Sequence, residues 1–419
     1  MAEKIKVKKT AKQRFKIFLK TLLCIVLAIA IILSVLACVG VSGVKSNSKF
    51  ISTLEPVKYE NQLKPTVDSD GCYTFVTDEE FKILHLTDIH IGGGFLTINK
   101  DSMAINAVAA MISAEKPDLV VVTGDIVYPV PIQSGTFNNK QSSELFAQLM
   151  EQLGVYWCLT FGNHDTEIYS YYTREDISQI YSDEKYEHCL YQAGPEDVDG
   201  CGNYTVKVKN SKGEITQALI MIDSHAYIGN NPLGIAWKYD CIHENQIEWY
   251  EQELNRLKAE NNSVMPKSLA FFHIPLQEYQ DAWYEYRDNG YADTENVKLI
   301  YGEAKEVGTV VYPGERNSGF FDKALELGST QGMFCGHDHL NNFSLEYKGI
   351  RLSYGYSIDY LAYRGIKNYG VQRGCAVINV KPDSSFESHQ ENYYQDKYSP
   401  VKEKEAVVME DYYSEELNN

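Results

Sequence analysis

Outside its first twenty residues the chain has few basic side chains. The chain has 39 Lys and Arg residues and 57 Asp and Glu residues. Eight of the basic residues and one of the acidic residues lie in residues 1–20, which leaves 31 basic against 56 acidic residues in the rest of the chain. A surface with this excess of negative charge repels polyanions, so we expect no nucleic-acid partner. The chain also lacks a Cys-x-x-Cys pair, which argues against a zinc ribbon. It contains no visible internal repeat.

Cysteine usage leaves the disulfide pattern open. Cys24 and Cys38 lie in an N-terminal apolar stretch, and the seven that follow are Cys72, Cys158, Cys189, Cys201, Cys241, Cys335 and Cys375. An odd number outside the cytoplasm requires at least one free or intermolecular thiol. Cys189 and Cys201 flank a polar loop and could pair.

Residues 19–44 form the one long apolar stretch, and residues 22–41 alone have the length that crosses a bilayer. The basic residues before it favour a cytoplasmic N-terminus. A cleaved signal peptide is an alternative, although the apolar stretch exceeds the usual length. Val35-Leu36-Ala37-Cys38 also resembles a bacterial lipoprotein cleavage box. All three interpretations place the rest of the chain outside the cytoplasm.

Composition divides the chain into five segments. We predict a basic cytoplasmic segment at 1–18, a transmembrane anchor at 19–44, a polar stalk or entry segment at 45–80, a large folded domain at 81–395 and an acidic tail at 396–419. Within the domain, residues 166–203 and 277–317 are polar and rich in tyrosine, and we interpret them as insertions.

Short apolar runs alternate with helical periodicity from residue 81 onwards. Strands are predicted at 81–86, 119–122, 155–161, 218–222, 268–272 and 332–335. Helices are predicted at 99–114, 143–153 and 320–327, with a further helical face formed by Ile247, Tyr250, Leu254 and Leu257. This alternation is typical of a layered α/β fold.

Five polar motifs follow the ends of these strands. They are Asp88-Ile89-His90, Gly124-Asp125, Gly162-Asn163-His164-Asp165, His273 and Gly336-His337-Asp338-His339, with Asp223-Ser224-His225 as a less certain sixth. Ligands gather at the carboxyl ends of strands in α/β sheets, so these loops can converge. Oxygen donors together with imidazoles suit Mn, Fe or Zn. The set suffices for two metal ions bridged by one carboxylate, an arrangement used in phosphoester hydrolysis.

The order of these motifs resembles that of the calcineurin-like metallophosphoesterases, whose pattern is D-x-H, G-D, G-N-H-[DE], a lone His and G-H-x-H. The resemblance covers residues 81 to 380. It implies a four-layer α-β-β-α sandwich. It also implies one metal at Asp88, His90 and His339, a second at Asn163, His273 and His337, and Asp125 bridging both.

The same resemblance implies hydrolysis of a phosphomonoester or phosphodiester by a metal-bridging hydroxide. His164 is then the general acid or charge stabiliser beside the leaving group. Asp165 could hold its imidazole in one tautomer. His225 could contact substrate or lie on the surface. We expect His85 to lie in the core.

Gly124-Asp125-Ile126-Val127-Tyr128 is similar to the G-D-x-x-Y of purple acid phosphatases, whose tyrosine binds ferric iron. Those enzymes lack the histidine that stands here as His90, so we expect Tyr128 to be displaced from the metals. The C-terminal motifs are similar to a purple-acid-phosphatase-like branch that keeps D-x-H.

The sequence therefore predicts a membrane-anchored phosphoesterase with two metal ions, a phosphate-ester substrate and an extracytoplasmic catalytic domain. One alternative is a catalytically silent binding or scaffold protein with the same fold. Another is a membrane-tethered adhesin that uses the tyrosine-rich insertions. Retention of every predicted ligand argues against both.

Overall fold

The computed structural model describes residues 10–229, 238–306, 310–363, 373–393 and 396–398. The helices are α1 Ala11–Ile51, α2 Ile98–Glu115, α3 Pro131–Ser134, α4 Asn139–Leu153, α5 Arg174–Tyr181, α6 Glu244–Glu260, α7 Gln277–Asp288 and α8 Phe320–Leu327. The strands are β1 Thr66–Val67, β2 Tyr73–Val76, β3 Phe81–Leu86, β4 Leu119–Thr123, β5 Trp157–Thr160, β6 Tyr204–Lys209, β7 Ile215–Met221, β8 Ser268–Phe271, β9 Val297–Tyr301, β10 Thr330–Cys335, β11 Ser344–Tyr347, β12 Ile350–Tyr354, β13 Gly374–Val380 and β14 Phe386–Asn392. The elements predicted from periodicity are confirmed, with some ends shifted by a few residues.

These strands form two sheets. A nine-stranded sheet has the order β1-β2-β6-β7-β8-β10-β12-β11-β9, and a five-stranded sheet has the order β14-β13-β3-β4-β5. Strands β3, β4 and β5 are mutually parallel, and so are β7, β8 and β10. The carboxyl ends of each parallel set therefore share one edge, and the predicted motifs follow those ends.

The two sheets pack face to face. On β8, Leu269 and Phe271 join the core between the sheets, whereas Ala270 joins a second core on the outer face of the nine-stranded sheet. This period-two alternation is what a strand buried on both faces requires. Helices α2 and α4 cover the five-stranded sheet, and α6, α7 and α8 cover the other. The layers are thus α-β-β-α, which confirms the predicted architecture.

Helix α1 is long and apolar, and most of it stands clear of the domain. It begins at a capping box in which Thr10 and Gln13 exchange hydrogen bonds of 2.9 and 3.3 Å. Its most apolar stretch has a mean hydropathy of 3.3 and is entirely exposed. The helix is long enough to span a membrane, and a signal sequence has the same character.

Three segments for which no helix or strand was predicted contain regular structure. Residues 45–80 were expected as a stalk, but they hold the last turns of α1 and strand β2, which pairs with β6 in parallel. The expected insertion 166–203 contains α5. The insertion 277–317 contains α7 and β9, and β9 forms an edge of the large sheet. The tail 396–419 lies outside the described residues except for 396–398.

Cys189 and Cys201, which the sequence suggested as a possible disulfide, are both free thiols. Cys189 is buried and forms a backbone bridge with Trp157. The backbone N–H of Cys201 donates to Asp223 at 2.8 Å. Each cysteine is therefore held by a different part of the fold, and the pairing is not formed.

Candidate metal centre

The loops that carry the predicted ligands have strained backbone. Asp88, His90, Asp125 and His337 have positive φ angles of 51°, 55°, 50° and 78°. Non-glycine residues rarely adopt this region, and where they do the strain tends to lie at functional sites. This backbone conformation directs the four side chains into one buried space between the sheets.

Four of the predicted residues form a first group that could hold a metal ion: Asp88, His90, Asp125 and His339. Their ligand atoms lie within 4.8 Å of one another. His90 Nε2 is 3.4 Å from Asp125 Oδ2, and His339 Nε2 is 3.4 Å from Asp88 Oδ1. All four side chains are buried.

A second group shares Asp125 with the first and adds His273 and His337. His273 Nε2 lies 3.2 Å from Asp125 Oδ2. The Oδ1 atom of Asn163 lies 3.1 Å from His273 Nε2 and 2.8 Å from His337 Nδ1. The Nδ2 group of Asn163 donates to Tyr227 Oη at 2.8 Å, so its Oδ1 is turned towards the imidazoles. The structure thus brings together all seven predicted ligands.

A hydrogen bond from one ring nitrogen of His273 determines which of its nitrogens turns a lone pair towards the centre. His273 Nδ1 donates to the carbonyl oxygen of Thr123 at 2.7 Å. In the neutral imidazole the lone pair is then on Nε2, which points at the oxygens of Asp125 and Asn163. Acceptors that face acceptors require a cation or a proton between them. This donor set therefore fits two metal ions, each bound by imidazole nitrogen and carboxylate or amide oxygen.

The charges within the centre shift its pKa values strongly. Burial lowers the pKa of His273, but the Asp125 carboxylate outweighs burial and raises it to about 9. Burial lowers the pKa of His337 well below its usual value, and the neighbouring His273 adds to that shift. Burial raises the pKa of Asp125, yet His273 and His164 bring it well below its usual value. In the absence of a metal ion, the carboxylates therefore keep some of the imidazoles protonated.

Asp359 is a residue of this centre that the motifs do not reveal. Its Oδ1 atom accepts from His90 Nδ1 at 3.0 Å, and its Oδ2 atom lies 3.6 Å from His339 Nδ1. Backbone N–H groups of residues 361–363 donate to the same carboxylate at 2.6 to 2.7 Å. Carboxylates in this position orient metal-binding imidazoles. The only signal in the sequence is an aspartate in an apolar run, which is too weak to identify it.

His164 has a different partner from the one expected. Its Nδ1 atom contacts Glu167 Oε1 at 2.6 Å, and its backbone N–H donates to Asp125 Oδ1 at 2.7 Å. Asp165 instead accepts backbone N–H groups, from Gly162 at 2.7 Å and Asp125 at 3.0 Å. The expectation that Asp165 holds the imidazole is therefore wrong: it joins the two motif loops, and Glu167 holds the ring.

Tyr128 lies beside the centre, but its hydroxyl group is directed elsewhere. The hydroxyl donates to Gln133 Oε1 at 2.8 Å. Its ring packs against His90 and His164, with centroids 4.8 and 4.6 Å apart. Burial raises the pKa of the phenol far above its usual value, which opposes a phenolate ligand. This contact agrees with the expected displacement of Tyr128 by His90.

The other two histidines considered lie apart from this centre. His225 Nε2 faces Gln246 Oε1 at 2.9 Å, and its ring stacks on His243 at 4.0 Å. The structure therefore places His225 against α6 rather than in either group of ligands. His85 is fully buried in β3 and contacts Thr123 Oγ1 at 2.7 Å, in agreement with a core role.

Comparison with known proteins places the chain in a family. The family model for calcineurin-like phosphoesterases matches residues 81–341. The Arabidopsis thaliana protein named "Probable inactive purple acid phosphatase 14" is 31% identical over 317 residues, which cover 69% of this chain and 73% of that protein. "Probable inactive purple acid phosphatase 29" from the same plant is 28% identical and covers 69% of this chain and 74% of that protein.

A yeast relative carries a different name. "Phosphatase DCR2" of Saccharomyces cerevisiae is 32% identical over 292 residues, which cover 64% of this chain and 46% of that protein. The family match spans more than half of the chain and includes every motif that supplies the centre. The chain belongs to the calcineurin-like phosphoesterase family, and its relatives include purple-acid-phosphatase-like proteins.

Proposed function

We propose that this protein is a metal-dependent phosphoesterase, anchored by α1, whose catalytic domain hydrolyses a phosphomonoester or phosphodiester outside the cytoplasm. The observation that carries the proposal is the pair of ligand groups that share Asp125, with the His164 imidazole beside them. The acidic balance of the chain argues against nucleic acid as the substrate.

Each predicted ligand has a role in this proposal. Asp88, His90 and His339 would hold one metal ion, and Asn163, His273 and His337 would hold the other, with Asp125 available to both. When bound, two such ions lower the pKa of water and offset the charge of the phosphoryl oxygens. Mn, Fe and Zn all suit this mixture of nitrogen and oxygen donors.

His164 is the proposed general acid. Because Nδ1 is engaged by Glu167, Nε2 is the nitrogen left for a leaving-group oxygen. The backbone bond from His164 to Asp125 fixes the ring relative to the shared carboxylate. A proton held at Nε2 can pass to the departing alkoxide, which is the usual contribution of a positioned imidazole.

A silent family member is the second candidate. Both Arabidopsis relatives described above are named probable inactive phosphatases. The two candidates differ in turnover, because a silent protein would bind metal or phosphate ester without hydrolysis. The complete ligand set of this chain favours the enzyme.

The test is hydrolysis of p-nitrophenyl phosphate and bis-p-nitrophenyl phosphate by the full chain, with Mn, Fe, Zn or no metal. We expect metal-dependent turnover, and we expect His164→Ala to lower kcat by about 10²- to 10⁴-fold. His188→Ala is the matched control, because its imidazole contacts Glu151 away from the centre. Metal-independent turnover, or a His164→Ala protein as active as the control, would contradict the proposal.

A further inference from the structure

Helix α1 enters the domain at the edge that carries the metal centre. Asn47 Nδ2 donates to the carbonyl oxygen of Ile98, the first residue of α2, at 3.1 Å. A Cβ at Gly43 would lie 2.4 Å from the Ile98 side chain, so the helices touch closely there. Because α2 begins just after the β3 motif loop, this contact lies at the active-site edge.

Further along, α1 runs towards the opposite edge. Ser48 Oγ donates to Gln148 in the middle of α4 at 2.7 Å. After α1 ends, the N–H of Val57 donates to the carbonyl of Leu153, the last residue of α4, at 2.9 Å. Since α4 leads into the start of β5, this contact lies at the edge away from the motifs. The exposed apolar residues before position 40 therefore project beyond the active-site edge.

The loops at that edge carry large exposed apolar side chains. These side chains form what we call the rim patch: Leu96, Ile132, Phe137, Ile168 and Tyr171. Ile132 is 88% exposed and Tyr171 is 68% exposed, which is unusual for such residues in one region. Backbone hydrogen bonds join their loops, from Leu96 to Ser134 at 3.2 Å and from Tyr171 to Phe137 at 3.0 Å.

Two members of the rim patch, Phe137 and Tyr171, face the apolar part of α1. A cleft of about 490 Å³ separates residues 33–41 of α1 from the loops that carry Phe137 and Tyr171. Leu36 and Val41 line it on the helix side. The loops thus stand beside the last turns of the segment that is apolar enough to cross a bilayer.

The rim patch also adjoins the catalytic residues. Ile168 directly follows Glu167, which holds the His164 ring at 2.6 Å. Gln133, next to Ile132, accepts from Tyr128 at 2.8 Å and donates to the carbonyl of Ala362 at 3.4 Å. A surface that received this patch would therefore lie close to the residues that surround the metal centre.

We propose that the rim patch rests in the bilayer that α1 crosses, so that the active site faces the membrane and takes the phosphoester headgroup of a lipid. The inference rests on the proposed function and adds the class of substrate. Inserting aromatic and aliphatic side chains at the boundary between headgroups and acyl chains lowers the free energy. A bilayer is the expected partner of the rim patch, because the apolar span of α1 already lies beside these loops.

The test places tryptophan in the patch of the full chain, reconstituted in zwitterionic phosphatidylcholine vesicles that contain acyl-chain-brominated lipid. Ile132→Trp is compared with Val264→Trp, because Val264 is 62% exposed and precedes the start of β8 at the opposite edge. We expect bromine to quench the added fluorescence of Ile132→Trp and to leave that of Val264→Trp unchanged. Equal quenching, or none at position 132, would overturn the proposal.

Turnover separates this inference from the proposed function. Ile132→Asp should lower kcat/KM for a phosphodiester carried on a diacylglycerol and leave that for soluble bis-p-nitrophenyl phosphate unchanged, whereas Val264→Asp should alter neither. Equal kcat/KM for the lipid ester in both variants would overturn the membrane-facing orientation. If no ester is hydrolysed with any metal, the proposed function fails, and the quenching still decides where the patch lies.

Discussion

At the scale of single residues, the centre depends on groups that hold the imidazoles from behind. Asp359 contacts His90, Thr123 contacts His273, and Glu167 contacts His164. The motifs predicted the seven candidate ligands and His164, and the structure brings these residues close together. They could not reveal Asp359 or Glu167, because these contacts arise from folding rather than from any sequence spacing. For the same reason Asp165 was given the wrong partner.

Asp359 gives a prediction about metal affinity. Asp359→Asn keeps the size of the side chain but removes the carboxylate that orients His90. We expect metal affinity to fall about 10- to 100-fold, as is usual when such a partner is lost. Isothermal titration with Zn or Mn measures this change. Asp288→Asn, at an exposed position paired with Arg287, is the control, and equal affinities in the two variants would contradict the role of Asp359.

The raised pKa of His273 predicts how the metal-free protein responds to pH. Its folded pKa of about 9 lies above the ordinary value of 6.5, so protonation stabilises the fold most below pH 6.5. That contribution, at most about 3 kcal/mol, is lost as pH rises from 6.5 to 9. Urea unfolding of chelated protein at several pH values measures it. Stability that increases over this range would contradict the sign.

Metal binding should change that pH dependence. A bound ion takes the place of the proton on His273, so apparent metal affinity should rise with pH up to about 9. The loaded protein should then lose less stability over the same range than the chelated protein. Identical pH dependence with and without metal would show that His273 is not a ligand.

At the scale of elements, parallel strands bring the motif loops close together. Loops after β4 and β5 approach so tightly that a Cβ at Gly124 would lie 2.4 Å from the backbone nitrogen of Gly162. Apolar periodicity predicted these strands well, since each is a short buried run with flanking polar residues. It did not predict strands β1, β6, β11, β12, β13 and β14. It also missed β2 in the presumed stalk and β9 in the presumed insertion. Both lie near the edges of the large sheet, where strands are polar enough to resemble loops.

Gly124 and Gly213 give a matched test of this approach. Both have φ near +80°, but nothing lies within 4 Å of a Cβ at Gly213. Gly213→Ala should cost only about 1 kcal/mol from backbone strain. Gly124→Ala should also displace the Gly162 loop and reduce metal content. Thermal unfolding and metal analysis of both proteins compare them, and equal losses in both variants would show that the loops can part without cost.

At the scale of the whole molecule, the fold joins ligands from two sheets and orients the resulting centre. Asp88, Asp125 and Asn163 follow strands of the five-stranded sheet, whereas His273 and His337 follow strands of the other. The order of the motifs can be read along the chain, but predicting the pairing of the sheets needed the resemblance to a family. The direction in which α1 leaves the domain followed from no pattern, because it depends on contacts such as Asn47 with Ile98.

The measurement that tests the central claim most directly is metal content and turnover of the same full-chain preparation, with Asp125→Asn beside it. We predict about two equivalents of metal per chain and hydrolysis that scales with that content. We also predict that Asp125→Asn, which weakens the carboxylate shared by both groups, loses metal and turnover together. An Asp125→Asn protein that keeps both, or a wild-type protein that holds two ions and hydrolyses neither chromogenic ester, would contradict the account.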